Sequence, residues 1–244
     1  MVTLEIPRPE PACSPLDDDP LVGSLLLDVA HELRSPLFSF SLALAGLSEG
    51  NRMLTEQEQS RLIGALQRSA VHLQTLVENI LDTASLGADR FSVVLQEIDL
   101  MAVLREAVLV VEPLLGPRGQ RIAVDAPYDT LTVHADAQRL RQALINLLHN
   151  AIKYGPPDDV IILRARVVKD VMIEVSDRGP GIPLEEPQRL FERFFRGRAV
   201  SGASPGSGLG LSITRAIVQA HGGEIAVRSL NGVGTTFWFT LRLG

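Results

Sequence analysis

Apolar residues in the first part of the chain follow one another at alternating spacings of four and three. The positions of this stripe are Leu26, Ala30, Leu33, Leu37, Phe40, Leu44 and Leu47. A heptad spacing of this kind keeps apolar side chains on one side of a helix. The pattern therefore predicts a long helix over residues 21–48 that packs into a bundle or coiled coil.

A second stripe with the same spacing follows a polar turn at residues 48–52. Thr55 can cap a helix here, Glu58 completes a capping box, and the helix should run to about Leu86 and stop at Gly87. Its apolar face is formed by Leu62, Leu66, Ser69, Leu73, Leu76, Ile80 and Thr83. A hairpin of two such helices cannot bury both stripes alone, so we expect a homodimer with a dimeric four-helix bundle.

Beyond about residue 91 short strand-like runs alternate with helical ones. The predicted strands are 91–95, 121–124, 131–133, 160–167, 171–175, 224–229 and 235–243, and the predicted helices are 100–116, one from Asp136, 186–195 and 209–221. This order predicts an α/β sandwich with mostly antiparallel strands and helices on one face. We therefore divide the chain into a flexible leader (1–20), a helical hairpin (21–88) and an α/β domain (89–244).

Composition narrows the class of protein without defining a function. Of 244 residues, 45% are hydrophobic and 21% are charged, which is normal for a folded protein. The net charge of −6 offers no basic surface for nucleic acid. Cys13 is the single cysteine, so no internal disulfide can form, and no stretch approaches the ~18–20 apolar residues of a membrane span. The first residues also lack the basic part of a signal peptide, so we expect a cytoplasmic protein.

His31 is the first candidate for chemistry. It lies one position past a residue of the apolar stripe, about 100° round the helix, so its imidazole should reach solvent. A neutral imidazole there can accept a phosphoryl group. A lone helical histidine is more often a surface or packing residue. Pro36 favours function, because a proline inside a helix removes a hydrogen bond and costs roughly 3 kcal/mol.

A second polar pattern lies on the helix that begins near Asp136. Asn146, Asn150 and Lys153 are spaced four and three and therefore share one face of this helix. An amide oxygen can complete the coordination of Mg²⁺, and an ammonium can reach phosphates. An ordinary polar helix face would not need two asparagines, which are mediocre helix formers.

Two glycine-rich loops complete the set of candidate motifs. Asp177 follows a strand and opens the run Asp177–Pro183, where a carboxylate can accept a hydrogen bond from an adenine amino group; an ordinary loop is the alternative. Gly206–Leu211 opens a helix, where bare backbone N–H groups bind anions; a flexible joint is the alternative. Because this second loop does not follow a strand directly, a Rossmann dinucleotide site is disfavoured.

Together and in this order, the motifs resemble those of the sensor histidine kinases of two-component systems. The matching runs are His31–Leu37 (H-box), Asn146–Tyr154 (N-box), Asp177–Pro183 (G1-box), Leu190–Arg196 (F-box) and Gly206–Leu211 (G2-box). The resemblance covers residues 21–244. It implies a HisKA-type dimerisation and phosphoacceptor hairpin, followed by a Bergerat-fold ATP-binding domain that uses ATP and Mg²⁺.

The resemblance also assigns roles to residues. His31 would be the phosphoacceptor, and Glu32 would hydrogen-bond its imidazole and assist its deprotonation. Asn150 would hold Mg²⁺, and Asp177 would bind the adenine amino group. The other implied nucleotide-binding residues are Asn146 and Lys153 at the phosphates, Tyr154 near the base, Gly179 and Gly181 in the adenine loop, and Gly206, Gly208, Leu209 and Gly210 around the phosphates.

Two features depart from the family pattern. Ser35 stands where the family usually has a threonine that helps to position water for dephosphorylating the partner. Serine keeps the hydroxyl but loses the methyl that fixes its rotamer, so the resemblance supports kinase activity more firmly than phosphatase activity. Such kinases also usually carry a sensor module before the hairpin. We therefore expect the signal to come from a missing sensor module or from a separate sensor protein.

The resemblance implies an ATP-dependent protein-histidine kinase that autophosphorylates on His31 and transfers the phosphoryl group to an aspartate of a response regulator receiver domain. A flexible segment at about 87–91 would let the ATP domain swing.

Two alternatives stay open: a degenerate kinase that binds nucleotide as a scaffold, and an ATPase of the gyrase and chaperone type. That ATPase uses a glutamate base where Asn146 stands. The other histidines are interpreted as surface or packing residues, and His221 is expected at the C-terminus of the last helix, where a partial positive charge suits the helix dipole.

Overall fold

Two long helices form the N-terminal part of the fold. The computed structural model describes residues 20–48, 54–87, 91–183, 189–195 and 207–243; the predicted leader lies almost wholly outside them. Helix α1 spans Pro20–Ser48 and continues through Pro36, and α2 spans Glu56–Gly87. The predicted capping box is confirmed, since the Thr55 N–H donates to Glu58 Oε2 at 3.0 Å and the Glu58 N–H donates to Thr55 Oγ1 at 3.2 Å.

The two helices pack against each other and leave apolar side chains in solvent. The large apolar residues exposed on the hairpin are Leu37, Phe38, Leu42, Leu44, Ile63, Val77 and Leu81. None of the helices in the described parts of the chain is long and apolar enough to cross a membrane. The exposed apolar residues are the kind of surface that the predicted homodimer would cover.

The α/β domain contains seven strands and three α-helices in the residues described. Their bounds are β1 Gln96–Asp99, α3 Leu100–Leu115, β2 Arg121–Asp125, β3 Thr132–Ala135, α4 Ala137–Tyr154, β4 Val160–Val167, β5 Val171–Asp177, α5 Gly210–Ala220, β6 Ile225–Leu230 and β7 Gly234–Leu241. A five-stranded sheet has the order β2-β4-β5-β7-β6, and β1 pairs with β3. Only β2–β4 is parallel in the described sheets, so the mostly antiparallel prediction is confirmed.

One face of the five-stranded sheet packs against the helices to form the core. Alternate residues of the central strands point into this core, as Leu163 on β4, Ile173 on β5 and Phe239 on β7 illustrate. Helix α4 contributes Leu144 and Leu148, both fully buried. The apolar side of α4 is thus fixed against the sheet, and its polar side is left for the site.

Three predicted elements differ from the structure. Residues 91–95 are not a strand, because the ladder to β3 begins at Gln96, while the Val94 N–H donates to Asp136 Oδ2. In the predicted helix 186–195, residues 189–195 form turns, and Phe194 has a φ of 63° that no α-helix accommodates. The last strand ends at Leu241, before the predicted Leu243.

Candidate active site

A cleft lies where the helical hairpin meets the α/β domain. Its cavity volume is about 190 Å³, and the cleft is partly open to solvent. Its walls come from α1, α2 and α4, from the loop after β5, from residues 189–195 and from the start of α5. The motifs that lie far apart in the sequence therefore meet around one cavity.

Helix α4 supplies the polar wall of the cleft. Asn146, Asn150, Lys153 and Tyr154 all line it, since the spacing of four and three puts the first three on one side of the helix. Asp136 caps the start of the helix, and its side chain accepts from the Arg139 N–H at 3.1 Å. The Lys153 ammonium lies 4.8 Å from the ring centroid of Tyr154. This wall offers amide groups and one cation to an anionic ligand.

Asp177 stands at the end of β5, inside the cleft. Burial raises the pKa of its carboxyl to about 6; the Gly179 N–H, which donates to Oδ1 at 2.7 Å, opposes this rise, and the charge of Asp159 adds to it. A partly desolvated carboxylate of this kind forms strong hydrogen bonds to a donor such as an exocyclic amine.

The loop after Asp177 needs its two glycines for close packing. A Cβ at Gly179 would lie 2.6 Å from the carbonyl oxygen of Tyr154. Gly181 has a φ of 74°, and a Cβ there would lie 2.3 Å from the carbonyl oxygen of Leu230. The Gly232 N–H donates to the carbonyl of Pro180 at 2.7 Å, so the loop is fastened to the turn between β6 and β7.

The glycine-rich segment before α5 forms another wall, as far as it is described. Gly206 lies outside the described residues, whereas Gly208 and Gly210 line the cleft. Leu209 does not line it: its side chain is buried against Ala143 and the apolar side of α5. Leu209 therefore anchors the start of the helix, and any contact with a ligand would involve its backbone.

Residues 189–195 close the cleft beside this segment. Leu190 and Phe195 line it, and Phe191 packs edge-on against Phe237 with ring centroids 6.3 Å apart. The Phe194 N–H donates to the carbonyl of Gly208 at 3.1 Å. The motif that resembles the F-box is thus tied directly to the one that resembles the G2-box.

The hairpin brings Glu32 to the cleft, but not His31. Glu32 is only 8% exposed and lines the cavity, whereas His31 and Ser35 are exposed and lie outside its lining. The Arg34 Nη1 lies 3.4 Å from Nδ1 of His31. The predicted exposure of His31 is confirmed.

Sequence reasoning missed several polar residues of the cleft. Asn79, His72 and His149 line it, and the two imidazole centroids are 5.7 Å apart. Burial, followed by the charges of His72 and Lys153, lowers the pKa of His149 to about 4, so its ring is neutral near pH 7. Asn79 and His72 carry no signal in the sequence, because each reaches the cleft only through packing of the hairpin on the domain.

The oxygen atoms of the cleft suit Mg²⁺ that arrives with a nucleotide. Mg²⁺ prefers oxygen ligands and is usually held by one or two protein groups plus phosphates. Asn150 offers an amide oxygen here. Among the residues that the structure describes, no three acidic, histidine or cysteine side chains form a metal site of their own.

Two family models match the chain. Residues 22–89 match the His Kinase A (phospho-acceptor) domain, and residues 135–244 match the histidine kinase-, DNA gyrase B-, and HSP90-like ATPase. The first model covers the helical hairpin, and the second covers most of the α/β domain. They define the class of protein: a phosphoacceptor hairpin joined to an ATPase-type nucleotide domain.

Comparisons with individual proteins narrow this class to a family. The chain is 37% identical over 221 residues to the adaptive-response sensory kinase SasA of Prochlorococcus marinus (89% of this chain, 56% of that protein). It is 34% identical over 223 residues to SasA of Thermosynechococcus vestitus (87% and 58%).

Solved structures give the same result. The mycobacterial sensor histidine kinase MprB is similar with a TM-score of 0.54 and 30% identity, covering 61% of this chain and 97% of that one. Full-length ShkA in complex with AMPPNP has a TM-score of 0.61 and 32% identity (90% and 45%). The chain belongs to the sensor histidine kinases, as the motifs predicted, and it spans little more than half the length of the SasA relatives.

Proposed function

We propose that this chain is the catalytic core of an ATP-dependent protein-histidine kinase. It autophosphorylates on His31 and transfers the phosphoryl group to an aspartate of a response regulator receiver domain. The observation that carries this proposal is the cleft itself, in which Glu32, the neighbour of His31, shares one cavity with Asn150 and Asp177. A phosphoacceptor helix and a nucleotide-type site therefore border each other within one chain.

The cleft would bind ATP in one orientation. Asp177 would accept a hydrogen bond from the adenine amino group, and Tyr154 would pack near the base. The phosphates would lie against Asn146 and Lys153 and against the glycine-rich segment 206–210, where backbone N–H groups favour anions. Asn150 would hold Mg²⁺, which neutralises phosphate charge when bound. The AMPPNP bound in ShkA supports a nucleotide at this site.

His31 would act as the nucleophile. Its imidazole attacks the γ-phosphorus, an N–P bond forms, the P–O bond to ADP breaks, and the ring proton passes to Glu32. Because His31 lies outside the lining of the cleft, the ATP domain must move before this transfer, as the predicted swing requires. Of the segment proposed to permit it, residues 88–90 lie outside the described part of the chain.

The partners follow from the exposed surface of the hairpin. A second copy of the chain would cover the exposed apolar residues of α1, giving a homodimer in the cytoplasm, where ATP is available. The receiver domain would dock on the hairpin near His31, which is exposed and accessible to an aspartate. The stimulus would arrive from a sensor module or from a separate sensor protein.

Radioactive labelling tests the proposal. The wild-type chain, His31→Gln and the control His134→Gln, an exposed histidine on β3, are incubated with γ-³²P-ATP and Mg²⁺. We expect the wild type and the control to carry label that survives base and is lost in acid. His31→Gln should carry none and should still bind nucleotide. Label retained on His31→Gln would refute the assignment, and steady ATP hydrolysis by an unlabelled wild type would indicate the gyrase-type ATPase.

A further inference from the structure

Helices α2 and α4 meet along a buried polar contact, which we call the α2–α4 seam. It consists of Asn79 and Asp82 from α2 and of Arg139, Gln142 and Asn146 from α4. The contacts lie about one helical turn apart. Residues later in α2 contact residues earlier in α4, so the two helices are antiparallel at this junction. Asn79, Asp82, Gln142 and Asn146 are each 6% exposed or less. The seam is therefore an internal junction between the hairpin and the nucleotide domain.

Asp82 fixes the register of this junction. Its carboxylate accepts from Arg139 Nη1 and from Gln142 Nε2, both at 2.5 Å. The Arg139 guanidinium also lies 4.9 Å from the ring centroid of Phe91. A buried carboxylate is tolerated only when it is paired and hydrogen-bonded in this way, so a shifted register would leave Asp82 unpaired.

One helical turn away, the side-chain amides of Asn79 and Asn146 exchange two hydrogen bonds. Asn79 Nδ2 donates to Asn146 Oδ1 at 3.3 Å, and Asn146 Nδ2 donates back to Asn79 Oδ1 at 3.3 Å. Asn146 Nδ2 also donates to the carbonyl of Gly210 at 3.2 Å. Since an amide has two N–H donors and one oxygen with two lone pairs, both donors of Asn146 have partners, and one lone pair of its oxygen is left for a ligand.

We propose that Asn79 is a positioning residue of the nucleotide site, through which the hairpin sets the orientation of Asn146. This inference rests on the proposed function. Rotating the Asn146 amide alone by half a turn would place its oxygen against the oxygens of Asn79 and Gly210 and its nitrogen against that of Asn79. Rotating both amides together would still place the Asn146 oxygen against the carbonyl oxygen of Gly210. With Asn79 and the Gly210 carbonyl in place, the Asn146 amide is held in one orientation before any nucleotide binds. Pre-orientation of this kind lowers the ordering cost of binding, so nucleotide binds more tightly while the domain is docked on its hairpin.

A double-mutant cycle on the full chain tests this coupling. Binding of Mg²⁺–ADP is measured by calorimetry for the wild type, Asn79→Ala, Asn146→Ala and the double variant. The control is Gln67→Ala, which removes an exposed amide from the same helix. We expect Asn79→Ala to weaken binding roughly 2- to 10-fold, the size that loss of one net hydrogen bond gives. The double variant should bind no more weakly than Asn146→Ala alone, and the control should bind like the wild type.

The outcomes separate this inference from the proposed function. If Asn146→Ala weakens binding and Asn79→Ala does not, the positioning role is refuted and the site stands. Additive effects of the two substitutions would also refute it, because Asn79 would then act independently of Asn146. If Asn146→Ala binds like the wild type, the proposed role of Asn146 itself is wrong. Should Asn79→Ala fail to fold by circular dichroism, Asn79→Ser takes its place in the same cycle.

Discussion

At the scale of single residues, Asp177 has the most strongly altered environment among the residues proposed to bind nucleotide. Burial raises its pKa from the ordinary 3.8 to about 6, so the proton that it must lose comes off close to physiological pH. The ionised carboxylate is a much stronger acceptor for an adenine amino group than the protonated acid. Nucleotide affinity should therefore fall as the pH drops through about 6, because the protonated form becomes the main species below that value.

We predict that the affinity for Mg²⁺–ADP is roughly tenfold lower at pH 5 than at pH 7.5, since one pH unit below a pKa leaves about a tenth of the group ionised. Calorimetric titration across this range measures it. Asp177→Asn serves as the control, because it lacks the titrating group and reports the part of the pH dependence that belongs to the phosphates. If the affinity of the wild type and that of the variant change equally with pH, the titration of Asp177 does not cause the pH dependence of binding.

The residues of the site differ in how far the sequence could predict them. Asn146, Asn150 and Lys153 were predictable because helical spacing alone puts them on one face. Asn79 was not, because its position depends on the packing of α2 against α4. Spacing describes a single element, and it contains no information on which elements meet.

At the scale of elements, α4 and α5 are joined by one imidazole. His221 caps the C-terminus of α5 and is 7% exposed. Its Nδ1 lies 2.7 Å from the carbonyl of Ile217, and its Nε2 accepts from the Asp136 N–H at 2.9 Å. Nδ1 therefore carries the proton and Nε2 carries none. The sequence placed His221 correctly at the helix end, and the Nδ1–H that donates to the carbonyl of Ile217 places a partial positive charge there.

Replacing His221 should therefore cost stability. We predict that His221→Ala lowers the free energy of unfolding by about 1–3 kcal/mol, because the partly buried N–H of Asp136 and the carbonyl of Ile217 both lose a partner. Urea denaturation measures this loss. His134→Ala is the matched control, since His134 is exposed on β3 and its removal should change stability by less than about 0.5 kcal/mol. Equal losses for the two variants would contradict the bridging role of His221.

The elements that the sequence predicted best are those whose own pattern decides their structure. Helix α3 begins after Asp99, whose side chain accepts from the Met101 N–H, and β4 spans the predicted residues 160–167. The run 91–95 failed because strand-forming residues still need a neighbouring strand, and β3 pairs with the next four residues instead. Residues 189–195 failed because their backbone is shaped by contacts with Gly208 and with the cleft.

At the scale of the whole molecule, the hairpin leaves a surface that the single chain does not bury. Leu37 is 50% exposed and Leu44 is 49% exposed, although both belong to the predicted apolar stripe of α1. On a two-fold dimer each of these residues would be buried twice, once in each copy. Burial of a leucine side chain contributes about 1.5–3 kcal/mol. One such position, buried in both copies, therefore accounts for a large share of the free energy of dimerisation.

We predict that Leu44→Glu raises the dissociation constant of the homodimer roughly 100- to 1000-fold, because the substitution removes two buried leucines and places two like charges in the bundle. Sedimentation velocity over a range of concentrations measures it. Val168→Glu is the control, because Val168 is 79% exposed in the turn between β4 and β5, far from α1 in the sequence. The affinity for Mg²⁺–ADP should stay unchanged in both variants, because neither residue lines the cleft. A Leu44→Glu chain that sediments as a dimer would place the interface elsewhere, and the exposed stripe of α1 would then need another partner, of which the receiver domain is the next to test.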